Sequence, residues 1–360
     1  MKVLILSASI GSGHTKAAEA IGKSLNCDFE IVDFTAKEIS TLNWLAKKIY
    51  LAALKFIPDL YDKIYNFMGA RQVGTLTRFL TATFMYFPFV RLLKKFSPDV
   101  IICTHPFPEA AASLWKFLHA KSARKFLLST ILTDYSLHEI WIYSEVDIYF
   151  VATEQMKVEL AAQSRPNQEI YSTGIPIGKE FKNLKTIEHS TPTILIMGGG
   201  LGLGSIEETL QDLNNVDTSL KILVVAGQNQ KLLARLSSVQ KKSRHEVKLF
   251  GYVENVYELM ATSDLLITKP GALTMTEAFA VGLPMILHAP IPGPETQNAL
   301  YAVNNGSAIL AGDLKISVLV NKLLKDSARL DEMKISTKIL AKINAADEIV
   351  EKLTANFFPI

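Results

Sequence analysis

Thr268-Lys-Pro-Gly-Ala-Leu-Thr-Met-Thr-Glu277-Ala-Phe-Ala-Val-Gly-Leu-Pro284, followed by Pro290-Ile-Pro-Gly-Pro-Glu295-Thr-Gln-Asn298-Ala299, decides the architecture of this chain. The apolar run 264–268 predicts a strand, and the Lys269-Pro270-Gly271 turn predicts the start of a helix. Unpaired N–H groups and the positive dipole end of such a helix attract an anion. Glu277 falls two turns along the same helix, where a carboxylate accepts hydrogen bonds from a ribose diol. A second turn then opens a helix carrying Glu295, Gln297 and Asn298, polar groups able to hold sugar hydroxyls. Phosphate, ribose and sugar contacts in this order describe a nucleotide-sugar pocket.

Working outward, strands are expected at 193–197, 221–226, 247–250 and 285–288. The run Gly198-Gly-Gly200-Leu-Gly202-Leu-Gly204 has five glycines in seven residues and follows the first of these strands. Amides without side chains approach a diphosphate closely, so Gly200 and Gly202 form a second wall of the phosphate pocket. The first half reads the same way, with strands at 2–8, 29–33, 99–104, 126–133, 147–152 and 169–173. Repeated βα units predict an α/β fold with parallel sheets covered by helices on both faces. The stretch 178–192 is polar and strandless, which suits a linker between two domains. At 360 residues, two domains are also what length favours.

Composition narrows the class. The hydrophobic fraction is 49%, yet the longest apolar candidate, residues 79–90, contains Pro88 and is short of the ~20 residues needed to span a bilayer. Lys2 leads directly into a strand and a glycine loop, which does not read as a signal peptide. Cys27 and Cys103 give neither a disulfide framework nor a metal pattern, so a cytosolic protein is expected. Net charge is +3 overall, but residues 40–95 hold nine basic groups against two acidic ones, a local +7. Lys47, Lys48 and Lys55 lie there with Trp44, Phe56, Phe84 and Phe87. Basic groups interleaved with aromatics suit an anionic membrane surface, although aromatics at helical spacing also build cores. No nucleic-acid motif accompanies the patch, so nucleic acid is not an expected partner.

A second glycine loop, Gly11-Ser-Gly13-His14, ends the first strand and opens a helix, and Asp33 closes the next strand. This imitates the dinucleotide fingerprint, but Lys16 stands where the third glycine belongs. An imidazole titrates near neutrality, so His14 is a candidate general base. Asp134 follows the strand 126–133 at the edge where α/β sheets bind ligands. It is a rival base, or orients His14. No Asp-x-Asp and no His or Cys cluster with ligand spacing occurs, so no metal or cofactor is expected and helix termini would carry the donor's charge.

These stretches together resemble glycosyltransferase family 28. The likeness extends to Leu132-Thr-Asp134-Tyr-Ser-Leu-His138-Glu-Ile-Trp141 and Ser172-Thr-Gly-Ile-Pro176-Ile, and is greatest to the branch of the monogalactosyldiacylglycerol synthases and processive diacylglycerol glucosyltransferases. The resemblance implies the GT-B fold, two Rossmann-like domains facing across a cleft. Residues 1–177 would bind the acceptor and carry a helical, membrane-facing insertion at 37–95. Residues 178–335 would bind the UDP-sugar, and 336–360 would return as a helix to the first domain. It implies an inverting transfer of hexose, glucose ahead of galactose, from a UDP-sugar substrate to diacylglycerol by a peripheral protein at the cytoplasmic face of the membrane. His14 or Asp134 would be the base. Gly251, Tyr252 and Val253 would read the uracil, and Gly271, Ala272, Thr274 and Lys269 the diphosphate. Pro294, Glu295 and Asn298 would flank the sugar, and Gly11, Gly13, His138 and Trp141 the acceptor. Pro294 replaces the branch's usual Gln and Ala272 a common Gly, which removes one sugar contact. Two rivals stay open: a UDP-GlcNAc transferase acting on a polyprenyl-linked acceptor, and a nucleotide-sugar-binding protein without activity.

Overall fold

The computed structural model describes residues 1–9, 12–35, 71–121, 126–182, 184, 190–202, 204–290 and 293–357. Gly11, Lys47, Lys48 and Lys55, with Trp44 and Phe56, lie outside them. The chain divides into two compact units: Met1–Gly178 with Pro292–Pro294 and Asn344–Ile360, and Lys179–Ile291 with Glu295–Ile343.

The first unit contains β1 (Lys2–Ser7), α1 (Gly13–Ser24), β2 (Asp28–Asp33), α2 (Arg71–Phe96), β3 (Val100–Cys103), α3 (Pro106–Leu118), β4 (Leu127–Ile131), β5 (Ile148–Phe150), α4 (Glu154–Ala161) and β6 (Glu169–Tyr171). The strands pair in parallel in the order β2-β1-β3-β4-β5-β6. Helices cover both faces of such a sheet, so β3 is buried along its whole length and reads as an unbroken apolar run. The register pairs Leu6 with Cys103, Cys103 with Thr130 and Ile131 with Phe150. The carboxyl ends of these strands therefore share one edge. Helix α2 carries Pro88. Its Phe89, Leu92 and Leu93 are buried, whereas Leu80, Phe84 and Phe87 are 58%, 53% and 76% exposed.

The second unit contains β7 (Thr193–Met197), α5 (Ile206–Asp212), β8 (Lys221–Val225), α6 (Gln230–Gln240), β9 (Glu246–Phe250), α7 (Val256–Ala261), β10 (Leu265–Thr268), α8 (Ala272–Val281), β11 (Met285–Leu287), α9 (Pro294–Asn304), β12 (Ala308–Leu310), α10 (Ile316–Lys325) and α11 (Ser327–Ile339). Its parallel order, β12-β11-β10-β7-β8-β9, is the 3-2-1-4-5-6 arrangement of dinucleotide-binding folds read from the far edge. Strand β12 is absent from the sequence-based expectations, because three residues are too few to show a period.

The last helix, α12 (Ala345–Phe357), belongs to the first unit. Ile349 and Leu353 join the core of Val3, Ile5 and Ile102, and Asp347 accepts a 2.7 Å hydrogen bond from Ser24. The returning segment starts later than residue 336, because residues 336–339 complete α11, which packs within the second unit. Among the described residues no helix is long and apolar enough to cross a membrane.

Candidate active site

Ligands of doubly wound sheets bind beyond the carboxyl ends of the strands where the strand order reverses. In the first unit that point lies between β1 and β3. The loop after β1 ends in Gly13 and His14, and the loop after β3 supplies Thr104 and His105. They interlock: His14 Nδ1 lies 2.8 Å from the Thr104 carbonyl, and the Thr104 hydroxyl donates to the His14 carbonyl at 3.1 Å. A carbonyl only accepts, so Nδ1 carries the hydrogen and Nε2 holds the lone pair. Thr133 Oγ1, just past β4, is 2.7 Å from the same Nδ1. Burial pulls the His14 pKa down, while the Asp134 charge and the Thr104 bond raise it in part. The ring is thus held neutral at neutral pH, with its basic nitrogen available.

His105 caps the start of α3, and its Nδ1 accepts from the Phe107 N–H at 3.2 Å. Its hydrogen therefore sits on Nε2, the opposite tautomer to His14. The two rings meet edge to face with centroids 4.7 Å apart. Burial, and then the neighbouring His14, hold the His105 pKa well below the usual histidine value. Trp141 is buried, with its ring 6.5 Å from that of His14. His138 caps the short turn Glu139–Trp141 by accepting from the Ile140 N–H at 3.2 Å. Asp33 Oδ1 accepts from Ser9 N, Thr35 N and the Thr35 hydroxyl. It braces its own turn in the position where a dinucleotide fold would present a ribose carboxylate.

In the second unit the order reverses between β7 and β10. The register levels Met197 with Thr268 and Val225, Thr268 with Leu287, and Val225 with Phe250. The glycine run after Met197, Lys269 after Thr268, Gly251 after Phe250 and His288 after Leu287 therefore stand along one edge. Gly202 has φ +59, and a Cβ there would lie 2.1 Å from the Ala226 carbonyl. Glycine alone fits, and the run lies flat on the turn after β8, with Gln228 N donating to Gly200 O at 3.0 Å. Helix α8 follows Gly271, which offers no side-chain cap. Its first i→i−4 bond runs from Met275 N to Gly271 O, so the amides of Ala272, Leu273 and Thr274 have no intrahelical acceptor. Glu277 is half-buried on the same helix.

Lys269 and Glu295 form a mostly buried ion pair. The lysine stem passes the glycine run, 3.8 Å from where a Cβ of Gly199 would stand. Asn298 is fully buried and donates to the Pro270 carbonyl at 3.3 Å, which fixes the turn opening α8. Pro294 takes the first position of α9, where its missing N–H costs nothing. Tyr252 is exposed and Val253 half-buried just past β9. His288 is buried, its Nε2 has no hydrogen-bond partner, and Gly204 packs against its ring. Among the described residues no group of three or more metal-ligating side chains converges.

His105, Thr104, Thr133 and His288 were not singled out from sequence. Thr104 and His105 announce themselves only once β1 and β3 are known to be neighbours, since 90 residues separate His14 from Thr104. The available signal for each was its place directly after an apolar strand.

A sequence profile described as monogalactosyldiacylglycerol (MGDG) synthase matches residues 14–177, and one described as glycosyltransferase family 28 C-terminal domain matches residues 193–353. A processive diacylglycerol beta-glucosyltransferase of Bacillus cereus (strain AH187) is 32% identical over 375 aligned positions, covering 98% of this chain and 93% of the relative. Among solved structures, Acinetobacter baumannii MurG superposes with a TM-score of 0.66 at 15% identity, covering 98% of this chain and 99% of that one. Os79 from O. sativa gives 0.61 at 12% identity over 99% and 100% of the two chains. These likenesses show the GT-B fold.

Proposed function

The chain belongs to glycosyltransferase family 28, in the branch of monogalactosyldiacylglycerol synthases and processive diacylglycerol glucosyltransferases, and from that premise we propose that it transfers glucose from UDP-glucose to diacylglycerol with inversion. The observation that carries the chemistry is His14, whose Nδ1–H is committed to the Thr104 carbonyl while Nε2 keeps its lone pair. In this reading the acceptor hydroxyl gives its proton to His14 Nε2 as its oxygen attacks the anomeric carbon. The bond from that carbon to the diphosphate breaks, and UDP leaves with the bonding pair. Asp134 stabilises the imidazolium that forms, consistent with its raising influence on the His14 pKa. A β-linked product, as in the name of the Bacillus relative, requires inversion of an α-linked donor.

On the donor side, Gly200, Gly202 and the amides opening α8 receive the diphosphate, Lys269 lies beside them in its ion pair with Glu295, and Glu277 receives the ribose diol. Main chain at Gly251, Tyr252 and Val253 reads the uracil. Glu295 stands by the hexose beside Pro294, whereas Asn298, expected from sequence to flank the sugar, is fully buried and acts through the Pro270 turn that it holds. Gly13, His138 and Trp141 line the acceptor's approach. The lipid reaches the protein through an anionic membrane surface at the cytoplasmic face. The stripe Leu80, Phe84 and Phe87, with Arg91, Lys94 and Lys95 further along α2, supports that contact. Radiolabelled UDP-glucose and UDP-galactose offered with diacylglycerol vesicles test the reading. Transfer of glucose to the lipid is expected; labelling from UDP-galactose alone would reassign the donor, and labelling from neither would end the proposal.

A further inference from the structure

His288 takes no part in the function proposed above. It directly follows β11, and its backbone N–H extends the ladder by one bond to the Thr268 carbonyl at 3.1 Å. Leu287 is level with Thr268 in the parallel register, so His288 is level with Lys269, at the edge assigned above to the diphosphate. Ile286 and Ile267 join the core beneath α5, α6 and α10. Side chains alternate along a strand, which puts His288 and Lys269 over that same face. Gly204, the last glycine of the run, faces the ring: a Cβ there would lie 3.7 Å from His288 Cε1. The chain leaves through Ala289, whose φ of +44 is a conformation that residues with a Cβ rarely adopt. That bend directly after His288 keeps the imidazole at the end of the sheet.

His288 is only 7% exposed, and neither ring nitrogen has a hydrogen-bond partner. Nε2 is closed off from solvent, whereas Nδ1 is not, so Nδ1 is the nitrogen a ligand can reach. A buried N–H without an acceptor is rare in folded proteins. Nε2 therefore holds the lone pair, and the hydrogen lies on Nδ1. Burial holds the ring's pKa below the usual histidine value, opposed by the Glu208 carboxylate of α5. At neutral pH the ring is thus a neutral donor. Its surroundings select the partner. Lys269 is already paired with Glu295, and the exposed Glu208 is the carboxylate whose charge reaches the ring. The amides of Ala272, Leu273 and Thr274 open α8 without an intrahelical acceptor. Those amides and His288 Nδ1–H are all unused donors. The ligand that suits them carries several acceptor oxygens and no hydrogens of its own, which describes a diphosphate better than a hexose hydroxyl.

We propose that His288 is a donor-site contact that gives its Nδ1–H to a diphosphate oxygen of the UDP-sugar. The inference rests on the donor site proposed above and adds a side chain to its main-chain amides. As the bond to the anomeric carbon breaks, the diphosphate gains negative charge and this hydrogen bond strengthens, with no proton transferred. Nitrogen-15 NMR of the histidine rings in the full chain, with the His288 signals assigned by their loss in His288→Asn, reads the contact directly. The His288 pKa is expected to rise when UDP saturates the protein and to stay in place with uridine. By calorimetry, His288→Phe, which keeps a ring and removes the donor, should bind UDP about tenfold or more weakly with uridine affinity unchanged. His288→Asn, whose amide N–H takes the place of Nδ1, should recover part of the loss. A pKa indifferent to UDP would overturn the proposal, as would an equal loss of UDP and uridine affinity in His288→Phe, the mark of a ring that only packs. Weaker binding of UDP-glucose with UDP affinity intact would move the contact to the sugar and overturn it too. A wild type that binds neither UDP nor UDP-glucose would remove the donor site itself, a result distinct from a wild type that binds UDP without involving His288. Should His288→Phe fold poorly, the NMR titration of the wild type decides the question.

Discussion

His14 and His105 are neighbouring imidazoles with opposite tautomers, and the backbone sets both: one ring gives its Nδ1 hydrogen to the Thr104 carbonyl, the other accepts at Nδ1 from Phe107 N–H. His14→Ala should slow transfer by roughly 10²-fold or more, the scale of a lost general base, with UDP affinity nearly intact. Because burial lowers the His14 pKa, the acid limb of kcat/KM should fall below the ordinary 6.5. Asp134→Asn removes a charge that favours the imidazolium, so the limb should move further down; an upward shift would contradict this electrostatic pairing. Glu109 supplies a test of stability. Burial raises its carboxyl pKa well above 4.5, so above pH 4.5 the folded protein holds this proton more tightly than the unfolded chain does. Its contribution to stability therefore shrinks as pH rises from 4.5 toward the folded value. Glu109→Gln should flatten that part of the curve in denaturant titrations and stabilise the protein at pH 7–8. The sequence displayed His14 and Asp134, since each follows an apolar strand. It did not display their partners, because hydrogen bonds to Thr104 and Thr133 depend on which strands lie side by side.

The α8 helix and the glycine run show which glycines are dictated by backbone shape. Gly202 is left-handed and pressed onto the Ala226 carbonyl. Gly202→Ala should cost about 1–3 kcal/mol from backbone strain, with further loss from the clash, visible as a lower Tm. Gly271 has φ −70, and a Cβ there would meet only the Lys269 ammonium at 3.5 Å. Gly271→Ala should leave Tm nearly unchanged and weaken UDP binding, because the added methyl stands at the helix mouth. On the same helix, Glu277→Ala should weaken UDP binding by about 1.5–3 kcal/mol, the value of a charge-assisted hydrogen bond; unchanged affinity by calorimetry would remove Glu277 from the ribose role. Most strands were legible as short β-branched apolar runs, as Thr193–Met197 and Leu265–Thr268 illustrate. Strand order was not, since parallel pairing joins segments distant in the chain, such as β7 and β10.

At the scale of the whole molecule, the uneven charge predicts how the protein meets lipid. Each basic group near an anionic surface contributes about 1 kcal/mol, and the attraction fades beyond a Debye length. Sedimentation with vesicles should increase with phosphatidylglycerol content and decrease with salt. Replacing Lys47, Lys48 and Lys55 by Glu should release the protein, as should Phe84→Ser with Phe87→Ser, without altering UDP affinity. Indifference to both lipid charge and salt would move the lipid contact to another face. The repetition of βα units made the two-part architecture legible, whereas the membership of the final helix follows from packing that no local pattern records. That helix has a consequence for biosynthesis. The first unit is begun at Lys2 but lacks Ile349 and Leu353 until the last stretch of chain is made. The core of the first unit therefore closes only after the second unit, Lys179–Ile291 with Glu295–Ile343, has been synthesised. Helix α1, made early, is thus left without Ile349 and Leu353 against it until the segment after the second unit has been made.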